Sequence, residues 1–188
     1  MRRLLSATAL ALIPSLLSAQ SLSEQTRAQD AGAPTRIIAV NPFLPLFGLF
    51  QGEFERRLQS NLSVALGASY TEWDNDKYGN VDAKLRLYPQ ERGLEGLGLA
   101  ASLGLGFVNR RAYDECESLN PSCSRVPAKN VVAPAFAIES QYQWLLGSSR
   151  KTAVAAGFGV KRYFASEQDL GGDSRVRPTG RLTIGYAF

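Results

Sequence analysis

The sequence predicts an all-β protein, an eight-stranded antiparallel up-and-down transmembrane β-barrel. Three observations carry the prediction. From Arg36 onward, short runs alternate apolar with small or polar residues, and no window shows a long stripe of 3.6-residue period. The connections between runs alternate between tight turns and long loops. The less apolar face is glycine, alanine and serine with a few charges of both signs, unlike the scattered lysine and glutamate of a solvated sheet.

The elements follow in chain order. Met1-Arg2-Arg3 is a short basic start, "LLSATALALIPSLL" (Leu4 to Leu17) is uncharged, and small Ala19 precedes polar Gln20. That layout predicts a secretory signal peptide over residues 1–19. The apolar run falls short of the roughly 20 residues a membrane-spanning helix needs. With no cysteine near the cut, a lipid-anchored lipoprotein is not expected. Cleavage removes Arg2 and Arg3 and no acid, lowering the formal net charge from +4 to +2. The basic balance therefore gives no reason to expect a nucleic-acid partner. Residues 20–35, "QSLSEQTRAQDAGAPT", are polar and aperiodic and read as a flexible N-terminal tail.

Residues 36–188 make the barrel, one domain of eight strands at 36–46, 49–58, 61–73, 80–89, 95–110, 130–145, 151–165 and 175–188. Pro42, Pro134 and Pro178 fall inside these runs and disturb the ladder locally. The first strand, "RIIAVNPFLPLFG", is the weakest, because its two prolines work against it. The fifth presents Leu97, Leu99, Leu103, Leu105 and Phe107 against Gly98, Ala100, Ser102, Gly104 and Gly106. The fourth sets Val81, Ala83, Leu85 and Leu87 against Asp82, Lys84, Arg86 and Tyr88, and the sixth sets Phe136, Ile138, Tyr142 and Trp144 against Ala137, Glu139, Gln141 and Gln143.

Alternation alone does not separate a soluble sheet from a membrane one. Aromatic residues recur near the ends of the apolar bands (Tyr70, Tyr142 with Trp144, Tyr186 with Phe188), as an interfacial girdle requires. Tight turns lie near Gln59-Ser60-Asn61, "QERGLEG" and "GSSRK"; long loops are "DNDKYGN", "YDECESLNPSCSRVPAK" and "ASEQDLGGDS". Long loops on one rim and short turns on the other mark a barrel with periplasmic termini.

The final run, "GRLTIGYAF" (Gly180 to Phe188), alternates to its last residue. It resembles the C-terminal signature of bacterial outer-membrane β-barrel proteins. The resemblance implies that Leu182, Ile184, Tyr186 and Phe188 are recognised by the barrel-assembly machinery. The whole layout resembles the small eight-stranded outer-membrane barrels, including several families of unknown function. It implies a bacterial outer-membrane location with outer-membrane lipid and lipopolysaccharide as partners, and a monomer. The competing reading is a secreted lipocalin-like barrel.

Other motifs point to little chemistry. "GLGLAA" (Gly96 to Ala101) fits a dinucleotide fingerprint, yet it follows a turn and continues as a β pattern, so its glycines relieve crowding in the lumen. "DNDKYG" (Asp74 to Gly79) begins like a calcium loop, but Tyr78 replaces the third ligand and Leu85 the closing glutamate. Cys116 and Cys123 lie in one loop of an exported chain and predict a disulfide that stabilises by roughly 2–3 kcal/mol. The chain contains no histidine. The known outer-membrane barrel acyltransferases, deacylases and proteases depend on one, so no enzyme, cofactor or metal site is expected.

Parity turns Glu53, Glu55, Asp82 and Glu139 inward with Arg57, Lys84, Arg86, Lys161 and Arg181. Eight strands leave room only for side chains, so these charges are expected to pair as a lumen ionic network. Arg111 and Arg162, at the outer ends of the fifth and seventh strands, are expected to contact lipopolysaccharide phosphates or to pair with loop acids such as Asp114 and Glu115. The function expected is non-enzymatic, structural or interactive through the extracellular loops. The alternatives are a small channel or carrier for apolar compounds, and a soluble lipocalin-like binding protein.

Overall fold

Alternating side chains fix the fold, because a sheet with one apolar face must either hide that face or give it to lipid. The structure, a computed structural model, describes residues 33–73, 76–116, 123–166, 170 and 174–188. The signal peptide expected at 1–19 and the tail up to residue 32 lie outside the described residues. The strands are β1 (Arg36–Val40), β2 (Leu49–Arg57), β3 (Leu62–Trp73), β4 (Asp76–Leu87), β5 (Gly96–Arg110), β6 (Tyr113–Cys116), β7 (Cys123–Val126), β8 (Lys129–Leu146), β9 (Thr152–Tyr163) and β10 (Val176–Ala187). All but β6 and β7 close one barrel in the order β1-β2-β3-β4-β5-β8-β9-β10, and β10 returns to β1. Every pairing is antiparallel. The eight-stranded up-and-down barrel is therefore the observed fold.

The first strand differs from expectation. It ends at Val40 rather than continuing to residue 46. The Asn41 side-chain oxygen accepts hydrogen bonds from the amides of Phe43 (3.1 Å) and Leu44 (3.2 Å), which turns the chain. Pro42 and Pro45 have no N–H to give a ladder, and Leu44–Phe47 instead forms a 3-10 turn closed by left-handed Gly48 (φ 70°). The other two prolines stay in their strands at places where no rung is lost. The Pro134 carbonyl points to β9 and accepts from Phe164 at 2.8 Å, just where that ladder begins. In β10 the odd residues bond toward β9, as in Tyr163 N–H to Arg175 at 2.8 Å, so Pro178 faces the opposite edge, which has no strand partner there among the described residues.

Two smaller differences follow. The loop "YDECESLNPSCSRVPAK" contains a hairpin, β6 paired with β7, with Cys116 directly opposite Cys123. Thr35, expected in the tail, is fixed to the barrel: its N–H donates to Phe188 (3.0 Å) and its carbonyl accepts from Arg57 (2.8 Å).

The faces are sorted as in lipid, not as in water. Arg86 is 0% exposed inside the barrel, whereas Leu103 on the outside is 68% exposed. Ile138, Phe158, Leu66 and Val132 share that outer surface. An apolar exterior this extensive far exceeds the few hundred Å² a soluble monomer leaves in contact with water. The lipocalin-like alternative requires the reverse arrangement, and the structure excludes it. Among the described residues no helix is long and apolar enough to cross a membrane; the crossing is made by strands.

Candidate functional site

The lumen is built in layers, read from the end that carries the short turns. At the bottom, Ile37, Ala39, Tyr88, Leu94, Leu145, Ala153 and Ala187 form a buried apolar cluster. Leu94 comes from the β4–β5 turn and folds inward to 1% exposure, closing that end.

Above it lies the ionic network. The Tyr88 hydroxyl donates to Glu55 (2.8 Å), as does Ser63 (2.5 Å), and Arg86 pairs with Glu55 at 2.6 Å. Glu53 is the hub: Arg86 reaches it at 3.1 Å, Lys84 at 3.2 Å, and Arg181 from β10 also pairs with it. Lys84 also contacts Glu139 at 2.8 Å. Lys161 and Asp82 form a separate pair at 2.7 Å. A carboxylate among three cations is held by mutual attraction at low dielectric, which offsets the cost of removing each charge from water. Of the sequence-predicted residues, Glu53, Glu55, Lys84, Arg86, Glu139 and Arg181 thus meet in one network, and Asp82 with Lys161 forms a pair beside it. Arg57 lies at the turn end of β2.

Parity had placed Tyr88, Gln141 and Gln143 inward without giving them a role. The amides of Gln141 and Gln143 donate to the Tyr88 hydroxyl (3.3 and 3.2 Å), and Gln143 also donates to the Leu94 carbonyl (2.7 Å). The tyrosine thus ties the apolar floor to the charged layer. Ser63 was missed altogether; it sits opposite Arg86 in the ladder, so only register exposes it.

The small residues of β5, β8 and β9 make room for the long ones. A methyl group on Gly98 would stand 3.0 Å from Arg86 Cδ, and one on Gly106 would stand 2.7 Å from Tyr163 Cε1. Packing is uneven along the axis. Towards the loops a cavity of about 640 Å³ remains, floored by Glu53, Lys84 and Glu139 and walled by Gln51, Thr179 and Arg181. A second space of about 400 Å³ shares Asn80 and Tyr163 with it and reaches Arg177 and Leu170. The expectation that side chains alone fill the lumen thus holds for its lower half only.

At the loop end, Arg111 pairs with Glu72 at 3.6 Å, and Arg110 pairs with Asp76 at 3.2 Å. Arg162 lies over the Phe164 ring at 5.5 Å. Of the C-terminal residues, Leu182, Ile184, Tyr186 and Phe188 all face outward. No metal-holding group of acids and cysteines occurs among the described residues.

The chain matches no protein-family model, and no curated protein matches it. Among solved structures it is similar to the N-terminal β-barrel domain of Pseudomonas aeruginosa OprF, with TM-score 0.46 and 16% identity over 84% of this chain and 99% of that one. It is also similar to the Yersinia pestis outer membrane protein Ail in a phospholipid bilayer nanodisc, with TM-score 0.43 and 13% identity over 82% of this chain and 99% of that one. The architecture stands on this chain's own ladder: eight antiparallel strands closed into one barrel, apolar outside and charged within, form a transmembrane β-barrel of the outer-membrane type.

Proposed function

We propose that the protein is a non-enzymatic bacterial outer-membrane barrel that conducts no ions and acts through its loops and outer rim. The observation that carries this reading is the closed lower lumen. Glu53 is pinned by cations from β4 and β10, and beneath it Tyr88 and Leu94 seal the floor. An ion would have to separate buried pairs and then displace apolar side chains, each step costing several kcal/mol. The histidine-free sequence supports the absence of catalysis. Exposed Arg111 and Arg162 support a rim contact with lipopolysaccharide, because guanidinium geometry suits phosphate.

Planar-bilayer recording of the unaltered full chain tests the reading. No steady conductance is expected. Reproducible steps of roughly tens of picosiemens or more, abolished by boiling the sample, would overturn the closed lumen and favour a channel.

A further inference from the structure

The outer wall near the short turns carries two like charges that the barrel does not neutralise. Arg36 on β1 and Arg56 on β2 stand directly opposite each other in the ladder, and both are exposed. Parity turns them outward, because their neighbours Ile37 and Glu55 are buried in the lumen. Arg36 gives its backbone N–H and carbonyl to Phe188, so its rung with Arg56 is not a hydrogen-bonded one. At such a rung the α-carbons approach to about 4.5 Å and the side chains start closest together. Like charges placed opposite each other destabilise a sheet.

The barrel's own acids do not relieve the pair. Among the described residues, neither arginine lies within ion-pair distance of a carboxylate. Glu55, next to Arg56 in the chain, points inward and pairs with Arg86 at 2.6 Å. Arg36 lies against an aromatic face instead, 6.0 Å from the Phe188 ring centre.

The surroundings select the kind of anion. On the same outward face, one step towards the loops, Ile38 stands opposite Phe54 on one side and Tyr186 on the other. All three are exposed and so meet hydrocarbon in a bilayer. Arg36 is level with Phe188, at the edge of the apolar band, where headgroups begin. Two unpaired cations beneath an apolar row match a phosphate that carries an acyl chain. The rim around them is basic as well. Segments 34–36, 56–61, 88–95 and 147–151 hold Arg36, Arg56, Arg57, Arg92, Arg150 and Lys151 against two acids, Glu91 and Glu95. Such an excess draws anionic headgroups to the rim.

We propose that Arg36 and Arg56 form a two-guanidinium site for the phosphate of an anionic phospholipid in the periplasmic leaflet. The phosphate sits between the guanidiniums, each able to donate two hydrogen bonds to it, and an acyl chain runs over Ile38 and Phe54. A zwitterionic lipid offers the same phosphate but brings an ammonium against two cations, so the net charge of the headgroup decides. The inference rests on the lipid-facing exterior and on turns that face the periplasm. Heat-modifiability on a gel reports the barrel separately for every variant.

The test is native mass spectrometry of the full chain, freed of lipid in a nonionic detergent. It is given equal amounts of dioleoyl phosphatidylglycerol and dioleoyl phosphatidylcholine. One phosphatidylglycerol per barrel is expected, retained about ten-fold in preference to phosphatidylcholine, as suits two basic residues at a membrane surface. Arg36→Gln with Arg56→Gln should abolish the preference. Arg92→Gln with Lys151→Gln removes the same charge from the same rim and should keep most of it. Inorganic phosphate in excess should not release the lipid, because it lacks the apolar contact. Equal retention of both lipids by the parent would overturn the site, as would an unchanged preference in heat-modifiable Arg36→Gln/Arg56→Gln. An equal loss in the Arg92/Lys151 variant would show a diffuse rim charge and no site, and release by inorganic phosphate would show a site for free anions and not for lipid.

Discussion

The backbones of Arg36 and Phe188 exchange two hydrogen bonds, 2.8 Å from the Arg36 amide and 2.9 Å from the Phe188 amide. This rung joins the first barrel strand to the last and closes the cylinder. The Phe188 ring stacks on Tyr186 with centroids 6.0 Å apart, and the Arg36 guanidinium lies 6.0 Å from its centre. A residue that closes the barrel and also belongs to the outer girdle serves both stability and, in our reading, recognition by the assembly machinery.

Deleting Phe188, or changing it to Asp, should therefore lower the amount of assembled barrel strongly while synthesis and export continue. Heat-modifiable protein in outer-membrane fractions is the measurement. Refolding of the same variants into lipid vesicles without any machinery separates the two roles. A defect in cells alone points to recognition, and a defect in both points to the rung. Normal assembly in cells would refute the assignment.

Glu53 offers a second test. Changing it to Ala leaves Arg86, Lys84 and Arg181 facing one another with their common partner gone. Removing one member of a buried ion network costs about 3–5 kcal/mol, and the midpoint of urea unfolding in vesicles should fall accordingly. Replacing both Lys161 and Asp82 with apolar residues of similar size should cost far less, because no charge is left alone. Equal losses in the two variants would mean that charge pairing does not hold the lumen.

Much of this was legible in the sequence, because parity is a local property. Once Arg86 and Leu85 are adjacent in a strand, one must face in and the other out, and the chemistry decides which. Lys84, Arg86 and Glu53 were found that way. Register was not legible: that Ser63 opposes Arg86, or that Arg181 reaches Glu53 from the far end of the chain, depends on closure. The shortening of β1 was half visible. Pro42 and Pro45 announced a break, but the carbonyl of Asn41 acting on Phe43 and Leu44 is a side-chain effect that a strand pattern does not register. As a consequence β1 reaches β10 only from Ile184 to Ala187, a limit that no run of residues in β10 itself encodes.

A third prediction concerns the outer hairpin. Directly opposed residues of an antiparallel ladder have α-carbons about 4.5–5.5 Å apart, within the range a disulfide spans. Cys116 and Cys123 occupy such a pair. Protein purified from the cell envelope should resist maleimide labelling until reduced. Changing both to Ser should loosen the hairpin, seen as faster proteolysis of that loop, and leave the barrel's heat-modifiability unchanged. Two labelled thiols in the unreduced, denatured protein would refute the bond.

The outer rim gives the last prediction. Leu97 to Phe107 already spans the apolar band of about 9–11 residues, which places Arg111 in the headgroup layer. Its side chain is 54% exposed, and its partner Glu72 stands 3.6 Å away. An exposed pair of this kind is worth at most about 1 kcal/mol, so a lipopolysaccharide phosphate, able to accept two hydrogen bonds from the guanidinium, can displace the carboxylate. Arg162 lies over the Phe164 ring at 5.5 Å. Reversing both arginines to Glu should weaken co-purification of lipopolysaccharide while sparing the fold, whereas Glu72→Gln should strengthen it by freeing Arg111 from its competitor. A simple rim charge predicts no change in either direction. If the double reversal and Glu72→Gln both retain as much lipopolysaccharide as the parent, the arginines are ordinary solvated rim residues and the contact does not exist.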